Sequence, residues 1–299
     1  MKRARISEGK VLGIDVGWSE ERKSSAVCRL SWNRESIAWK VRRFRANDDD
    51  RSEAIREVAG TSELLAVAVD GPLSSGFDTI GRYRSAERIL SRGELAKRIG
   101  KPGQANSGNG RKLNKQANLA AKTVKRLCRI RQASHDERID KRAVVEAFPT
   151  SFLGVMVRCP AGLSGGARSD HYFSHLVGHE TPDRTLAEFV GCLLGSKDWE
   201  EPVHSLTNHD DRAAFVCALT ALCIACAEYT AVGDCEDGWI VLPPRWAFEE
   251  WAWKAVEANE SLEKGESRPR ASVQQTPAGR PQRGATAQAR LSESTMPGG

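Results

Sequence analysis

Two apolar segments that each end in an aspartate decide the expected fold of this 299-residue chain. Residues 10–16 read KVLGIDV, and residues 64–70 read LLAVAVD. Nearly continuous apolar runs of this length are typical of strands that are covered on both faces of a sheet. Asp15 and Asp70 therefore stand at the ends of two predicted buried strands.

The segments around these two strands predict an α/β protein with a mixed sheet. Residues 24–32 and 36–44 alternate between apolar and polar side chains, as antiparallel strands do. Residues 142–147 and 238–243 are further predicted strands. Helices are expected over 48–59, 82–92, 113–132, 150–157 (capped by Thr150), 181–194, 211–227 and 246–258. Three antiparallel strands followed by parallel strands, with flanking helices, is the layout of a ribonuclease H-like fold and also of half an actin-like ATPase.

Composition divides the chain at about residue 260. We expect one ribonuclease H-like domain over residues 1–260, with a helical insertion around 97–135. Residues 261–299 contain no aromatic residue and are rich in Pro, Gly, Ser, Gln and Arg. Such a segment cannot bury enough apolar surface to offset its ordering entropy, so a disordered tail is predicted.

The composition also bears on the location of the protein. No apolar run approaches the roughly 18–20 residues of a membrane span, and the basic start lacks the features of a secretory signal. We therefore expect a cytoplasmic protein without a membrane partner. The eight cysteines are scattered among apolar neighbours and are expected to be reduced. The sequence leaves the oligomeric state open.

A basic block lies in the middle of the chain. Residues 97–131 hold eleven Lys or Arg residues and no Asp or Glu, in a chain whose net charge is only +6. Such a block can bind phosphates of a nucleic acid, with Lys122, Lys125 and Arg126 as candidates. A solvated helix face is the alternative explanation.

Three strand-borne acids form the candidate catalytic and metal site. Asp15, Asp70 and Glu146 each lie near the end of a predicted strand, and sites in α/β sheets form at carboxyl ends of strands. Converging carboxylates repel one another, and a bound Mg²⁺ or Mn²⁺ relieves that repulsion. The alternative is that each acid caps a turn or helix locally, since Asp-Gly is a common turn pair.

Further candidate acids open a long apolar helix. Asp210 and Asp211 precede AAFVCALTALCIACA, where a carboxylate faces the positive end of the helix dipole. They can serve as catalytic or metal-binding groups, or as helix caps. His209 is either a general base or an exposed loop residue.

Five motifs occur in an order that resembles a known family. They are GIDVG, AVDGPL, the R-x-x-E-R of Arg84, Glu87 and Arg88, then VVEAFPTSF and HDDRAAFVCALTA. Together they resemble the predicted nucleases called domain of unknown function 429, over about residues 11–244. The resemblance implies a ribonuclease H-like, two-metal phosphodiester hydrolase in which Asp15 and Asp70 bind metal and Glu146 assists. Resolvase-like relatives carry a D-x-x-D spacing in the last helix, but here that spacing from Asp210 reaches Ala213.

These observations predict a metal-dependent nuclease that acts on DNA or RNA, with Arg84 and Arg88 either contacting a substrate phosphate or pairing with nearby acids. The alternatives are an actin-like ATPase or small-molecule kinase, and a catalytically inactive nucleic-acid-binding relative. Three further groups are better explained by a polar helix face or by core packing than by chemistry. They are the histidines His171, His175 and His179, the pair Cys223 and Cys226, and the tryptophans Trp239, Trp246, Trp251 and Trp253.

Overall fold

One mixed sheet holds all the strands in the described part of the chain. The computed structural model describes residues 6–61, 63–73, 83–103, 107–132, 139, 142–163, 168–178, 183–267 and 272–275. The strands are β1 (Gly9–Asp15), β2 (Ser25–Trp32), β3 (Ser36–Phe44), β4 (Ala66–Asp70), β5 (Arg131–Gln132), β6 (Ala143–Ala147), β7 (Asp198–Trp199), β8 (Thr230–Asp234), β9 (Gly238–Leu242) and β10 (Ser272–Gln275). Their order is β10-β8-β9-β6-β4-β1-β2-β3-β7, and β5 also pairs with β6.

Helices cover both faces of this sheet. The α-helices are α1 (Asp48–Ala59), α2 (Ser85–Leu90), α3 (Gly93–Arg98), α4 (Gly108–Cys128), α5 (Pro149–Gly154), α6 (Arg168–Val177), α7 (Leu186–Leu194), α8 (His209–Cys226) and α9 (Glu250–Ser267). Short 3-10 helices lie at Pro160–Leu163, Val203–Ser205 and Arg245–Ala247. None of the helices in the described ranges is long and apolar enough to cross a bilayer.

The pairing of the central strands confirms the predicted mixed sheet. Strand β2 is antiparallel to both β1 and β3. Strand β4 is parallel to β1, and β6 is parallel to β4. The predicted boundaries of β2 and β3 are within one residue of the observed ones.

The two faces of the sheet carry different helices. On one face, Leu12 and Ile14 of β1 and Val67 and Val69 of β4 pack in a cluster with apolar residues of α1 and α4. The alternate residues of the same strands point to the other face, because successive strand side chains project in opposite directions. That second face is covered by α8, which buries Ala214 and Ala218 there.

Gly13 lets α8 lie directly on the central strand. A β-carbon at this position would stand 2.0 Å from the backbone nitrogen of Ala218 and 2.2 Å from the carbonyl oxygen of Ala214. Contacts this short exclude any side chain, so only glycine permits the observed separation of α8 and β1. The first glycine of GIDVG is thus explained by packing.

Several predicted boundaries are wrong, each for a local reason. Thr150 does not cap α5, because the helix begins at Pro149, a residue suited to the first helical position, and Phe148 occupies the cap. Helix α4 begins at Gly108 rather than at the predicted residue 113, because Ser107 caps it by accepting a hydrogen bond from the Gly110 nitrogen. Strand β8 was not predicted, because it is short and ends in Gly233 and Asp234, two residues that are uncommon in strands.

The predicted disordered tail begins too early. Helix α9 continues to Ser267 because Glu263 and Asn259 are buried against α2 and α3, where Glu263 pairs with Arg88. Strand β10 then pairs with β8. Residues 276–299 lie outside the described residues.

The pair Cys223 and Cys226 and the tryptophan cluster have the core-packing roles predicted for them. All eight cysteines are free thiols. Burial raises the pKa of Cys223 well above its usual value and that of Cys226 to about 12, so neither is a reactive thiolate. The tryptophans of the predicted cluster are buried in, or pack against, the main core.

Candidate active site

Asp15 and Asp70 form an in-register pair at one end of the sheet. They are the last residues of two adjacent parallel strands, and each is the direct partner of the other. Neighbouring strands lie about 4.8 Å apart, and paired residues of parallel strands project to the same face. Both side chains are partly buried. The structure therefore brings these two predicted site residues together.

The same end of the sheet receives the N-terminus of α8. Helix α8 rests on Gly13, two residues before Asp15, and the charges of Asp210 and Asp211 in its first turn act on Asp15. The Asn208 side chain caps the helix by accepting hydrogen bonds from the backbone nitrogens of Asp210 and Asp211, at 3.0 and 3.4 Å. The carboxylates of Asp210 and Asp211 are thus not used as the helix cap.

The charge in this cluster is poorly compensated. No described residue forms a hydrogen bond or an ion pair with the carboxyl group of Asp15 or Asp70. Asp211 has a buried Oδ1 atom without a hydrogen-bond partner in the described part, and the Arg43 Nε atom lies 3.8 Å from it. A buried carboxylate in such surroundings is costly unless a cation approaches it.

The pKa values of these groups follow from that environment. Burial, followed by the charges of Asp70, Asp210 and Asp211, raises the pKa of Asp15 well above its usual range. Burial, followed by the charge of Glu146, raises the pKa of Asp70 to about 7. Burial also raises the pKa of Asp211, and Arg43 only partly opposes this effect. Four acids thus act on one another across a small region, although they come from three separate elements.

Glu146 acts on Asp70 through its charge, but its carboxyl group is bound to an arginine. Its partner on β4 is Val69, so its side chain projects to the face opposite Asp15 and Asp70. There both of its oxygens accept hydrogen bonds from the Arg84 guanidinium, at 2.9 and 2.5 Å. The strand register places Ala147 rather than Glu146 beside Asp70, although the charge of Glu146 still acts on Asp70.

Arg84 and Arg88 pair with acids, which is the second of the two predicted alternatives. The Arg84 side chain is 2% exposed and also donates from Nε to Glu87 Oε1 at 2.9 Å. Burial opposes the charge of Arg84, but Glu146 and Glu87 outweigh it and keep its pKa above the ordinary value. Arg88 pairs with Glu263 of α9. This buried network joins α2 and β6 rather than presenting cations to a substrate.

The basic helix α4 approaches the acids with its first half only. The side-chain amides of Asn114 and Asn118 donate to the carbonyl oxygen of Pro72, at 3.1 and 3.2 Å, two residues after Asp70. The opposite end of α4 lies near the start of β1, where Cys128 interacts electrostatically with Lys10.

Of the predicted phosphate-binding residues, Lys125 and Arg126 lie toward that far end, whereas Lys122 lies one turn beyond Asn118. Lys122, Lys125 and Arg126 are exposed, and Arg126 donates to the Ser52 hydroxyl of α1 at 3.1 Å. At 1.5 Å per residue, Lys125 lies roughly 20 Å along the helix from Lys112. Lys112 and Lys115, which are also exposed, lie in the same turns of α4 as Asn114.

The histidines take positions beside the site rather than in it. His209 is exposed, and its Nδ1 lies 3.1 Å from Asp170 of α6. His175 pairs with Asp183 at 2.8 Å, and His171 is exposed on the same helix. His179 lies outside the described residues. Within the described ranges, no group of three or more His, Cys, Asp or Glu side chains is arranged to hold a metal ion.

Sequence patterns did not reveal two residues near the acids. Arg43 is the partner of Ala26, which is the partner of Asp15, so Asp70, Asp15, Ala26 and Arg43 form one row across four strands. This row depends on register, which a single sequence does not specify. Trp18 follows Asp15 by three residues, and its position just after a predicted strand end was the only sequence feature that could have placed it near the acids.

Comparisons with known proteins name no relative. No protein-family model, no curated protein and no solved structure matches this chain.

Proposed function

We propose that this protein is a metal-dependent nuclease with a ribonuclease H-like fold, which hydrolyses phosphodiester bonds of nucleic acid. The observation that carries the proposal is the in-register pair Asp15 and Asp70, whose partly buried carboxyl groups have no described hydrogen-bond or ion-pair partner. Asp210 and Asp211 add negative charge from the first turn of α8. A protein that gathers unpaired acids in this way gains stability from a bound cation.

The sheet supports the ribonuclease H-like assignment. The central strand order β3-β2-β1-β4-β6, with β2 alone antiparallel to its neighbours, has the layout expected from the sequence. The long helix α8 lies on β1 and brings its acidic first turn to the strand ends. The acids of α8 are adjacent rather than in the D-x-x-D spacing, whose second position is Ala213. Asp210 and Asp211 both act on Asp15, so α8 still contributes acids to the site.

The donor set fits Mg²⁺ or Mn²⁺. These hard cations prefer carboxylate oxygens, and Mg²⁺ is commonly held by one or two carboxylates together with water and substrate phosphate. Asp15 and Asp70 would hold the ion as a pair, and Asp210 and Asp211 would add negative charge beside it without completing a three-ligand site. When bound, the metal lowers the pKa of water and stabilises the leaving oxygen.

The residues of the chain then have separable tasks. Asp15 and Asp70 orient the cation at the sheet end, while Arg43 limits the repulsion around Asp211 through its ion pair. The first half of α4 supplies exposed cations beside Pro72, and Lys112 and Lys115 can bind backbone phosphates there. The Arg84–Glu146 pair positions β6 and α2 on the other side of the strand ends.

The test is a cleavage assay with matched variants. Purified protein is incubated with end-labelled single-stranded and duplex DNA and RNA, in Mg²⁺, in Mn²⁺ and in EDTA. We expect metal-dependent cleavage by the wild type and by Asp198→Asn, which changes an exposed acid on edge strand β7. Asp15→Asn and Asp70→Asn are expected to lose at least a hundredfold in rate while keeping the wild-type circular dichroism.

Three results would contradict the proposal. Equal cleavage by wild type, Asp15→Asn and Asp70→Asn would remove these aspartates from the chemistry. Failure of the wild type to cleave any substrate, combined with thermal stabilisation by ATP, would instead favour the actin-like ATPase or kinase. Salt-dependent nucleic-acid binding without cleavage would favour an inactive relative.

A further inference from the structure

Trp18 is an exposed aromatic side chain beside the acidic site. Its side chain is 44% exposed, and Leu262 is the only other large hydrophobic residue exposed in the described ranges. The remaining tryptophans are buried or partly buried. Trp18 follows Asp15 by three residues, so their α-carbons are at most about 11 Å apart. An aromatic face is therefore presented to solvent within reach of the proposed catalytic acids.

The backbone around Trp18 is fixed on both sides. The Gly17 nitrogen donates to the buried Ser25 hydroxyl at 2.9 Å, and the Ala46 nitrogen donates to the Ser19 carbonyl oxygen at 2.9 Å. A β-carbon on Gly17 would stand 2.1 Å from the Ser24 carbonyl oxygen, so this chain crossing requires glycine. The indole is thus held on an anchored segment rather than on a freely moving loop.

A cation from α4 lies over this aromatic ring. The Lys112 Nζ atom is 5.9 Å from the ring centroid of Trp18, at the outer limit of a cation–π contact. Helix α4 is itself attached to the segment that follows Asp70 through the contacts of Asn114 and Asn118 with Pro72. The aromatic face, the ammonium group and the aspartate pair therefore belong to the same end of the sheet.

This combination is suited to an unpaired nucleotide. Single-stranded nucleic acid is bound by aromatic side chains that stack on its bases and by cations that follow its backbone. In a duplex the base faces are already stacked on their neighbours, so no base face is free to meet Trp18.

We propose that Trp18 stacks on an unpaired base of the substrate while Lys112 contacts an adjacent phosphate, so that the protein acts on single-stranded nucleic acid or on a junction with an unpaired base. This inference rests on the proposed nuclease function, because it assigns the substrate class of the same site. It makes Trp18 and Lys112 binding residues and gives them no part in the bond cleavage.

The test measures binding without cleavage. Fluorescence anisotropy in EDTA compares a labelled single-stranded oligonucleotide with a hairpin duplex, for wild type, Trp18→Ala, Trp18→Phe and Lys112→Ala. Leu262→Ala is the matched control, since it removes an equally exposed hydrophobic side chain. We expect Trp18→Ala to weaken single-strand binding about 5- to 100-fold, with less than a twofold change for the duplex. Trp18→Phe should retain most of the affinity, because an aromatic face remains.

Further readouts separate stacking from a structural effect. Binding of the single strand should quench part of the tryptophan fluorescence of the wild type, and Trp18→Phe should lose that part. Lys112→Ala should lower the slope of log affinity against log salt by about one. All variants should keep the wild-type melting temperature within about 2 °C, since the changed side chains are exposed.

The outcomes distinguish this inference from the proposed function. If Trp18→Ala binds single strands as tightly as the wild type, or loses duplex binding to the same extent, the stacking assignment is wrong and the nuclease proposal stands. If the wild type binds no nucleic acid in EDTA, the stacking assignment is wrong, and the cleavage assay with metal decides the nuclease proposal separately.

Discussion

Replacing Asp70 with asparagine should make the protein more stable at high pH. In the folded chain burial and Glu146 raise the pKa of Asp70 from 3.8 to about 7. A carboxyl group whose pKa is higher in the folded than in the unfolded state binds its proton more tightly when folded. Its ionisation therefore destabilises the fold progressively as pH rises from about 4 to 7. Asparagine has nearly the same shape and carries no charge, so the variant avoids this penalty.

The size of the effect follows from the pKa difference. About three pH units correspond to roughly 4 kcal/mol in full, and screening of the partly exposed side chain reduces this to roughly 2 kcal/mol. Near pH 4 the difference between the two proteins should fall below about 0.5 kcal/mol, because Asp70 is then protonated in the folded state and half-protonated in the unfolded state. The Asp70→Asn change also removes one of the charges that act on Asp15.

Urea unfolding in EDTA at pH 8 and at pH 4 measures this difference. The control is Asp198→Asn, whose carboxyl group is exposed at the sheet edge and should change stability by less than about 0.5 kcal/mol at either pH. A variant Asp70→Asn that is less stable than the wild type at pH 8 would refute the account of an uncompensated acid. An equal gain at both pH values would show that the effect does not come from ionisation.

Three other outcomes follow from the structure. Gly13→Ala should destabilise the protein by about 1–3 kcal/mol in urea unfolding and reduce cleavage, because the new methyl group displaces α8 from β1. The control Gly191→Ala, which has open space around the new methyl group, should not destabilise it. A Gly13→Ala variant of wild-type stability would contradict the close packing of α8 on β1. Arg84→Met should lower the free energy of unfolding by about 3–5 kcal/mol, because it removes the buried guanidinium that pairs with Glu146 and Glu87. Lys97→Met, at an exposed pair, should lower it by less than about 0.5 kcal/mol, and similar losses for the two variants would contradict the network. The affinity for Mn²⁺ in calorimetric titrations should rise by at least about tenfold per pH unit from pH 5 to 7, because the cation displaces protons from Asp70 and Asp15, whose pKa values are raised. A flat profile would contradict this.

The central sheet could be predicted from the sequence because its strands carry strong local patterns. The apolar runs that end in Asp15 and Asp70 and the alternation in β2 and β3 specify these elements without tertiary information. Strand β8 lacks such a pattern. Its Asp234 is buried, and it accepts hydrogen bonds from the Glu236 and Asp237 nitrogens in the following turn. Composition does not reveal these hydrogen bonds.

The candidate site was less predictable, because it depends on strand register and on helix approach. An acid near a strand end was recognisable at Glu146, but the face to which it projects is set by its pairing with Val69. The approach of Asp210 and Asp211 depends on the contact of α8 with Gly13. The basic residues of α4 were recognisable as a block, whereas the half of the helix that meets Pro72 was not.

The most direct test of the central claim is a calorimetric titration of the protein with Mn²⁺ at pH 8. We expect wild type and Asp198→Asn to bind the ion with the same affinity, and Asp15→Asn and Asp70→Asn to bind at least tenfold more weakly. If all four proteins bind Mn²⁺ equally, or none binds it, the two strand-end carboxylates do not share a divalent cation and the proposed active site is wrong.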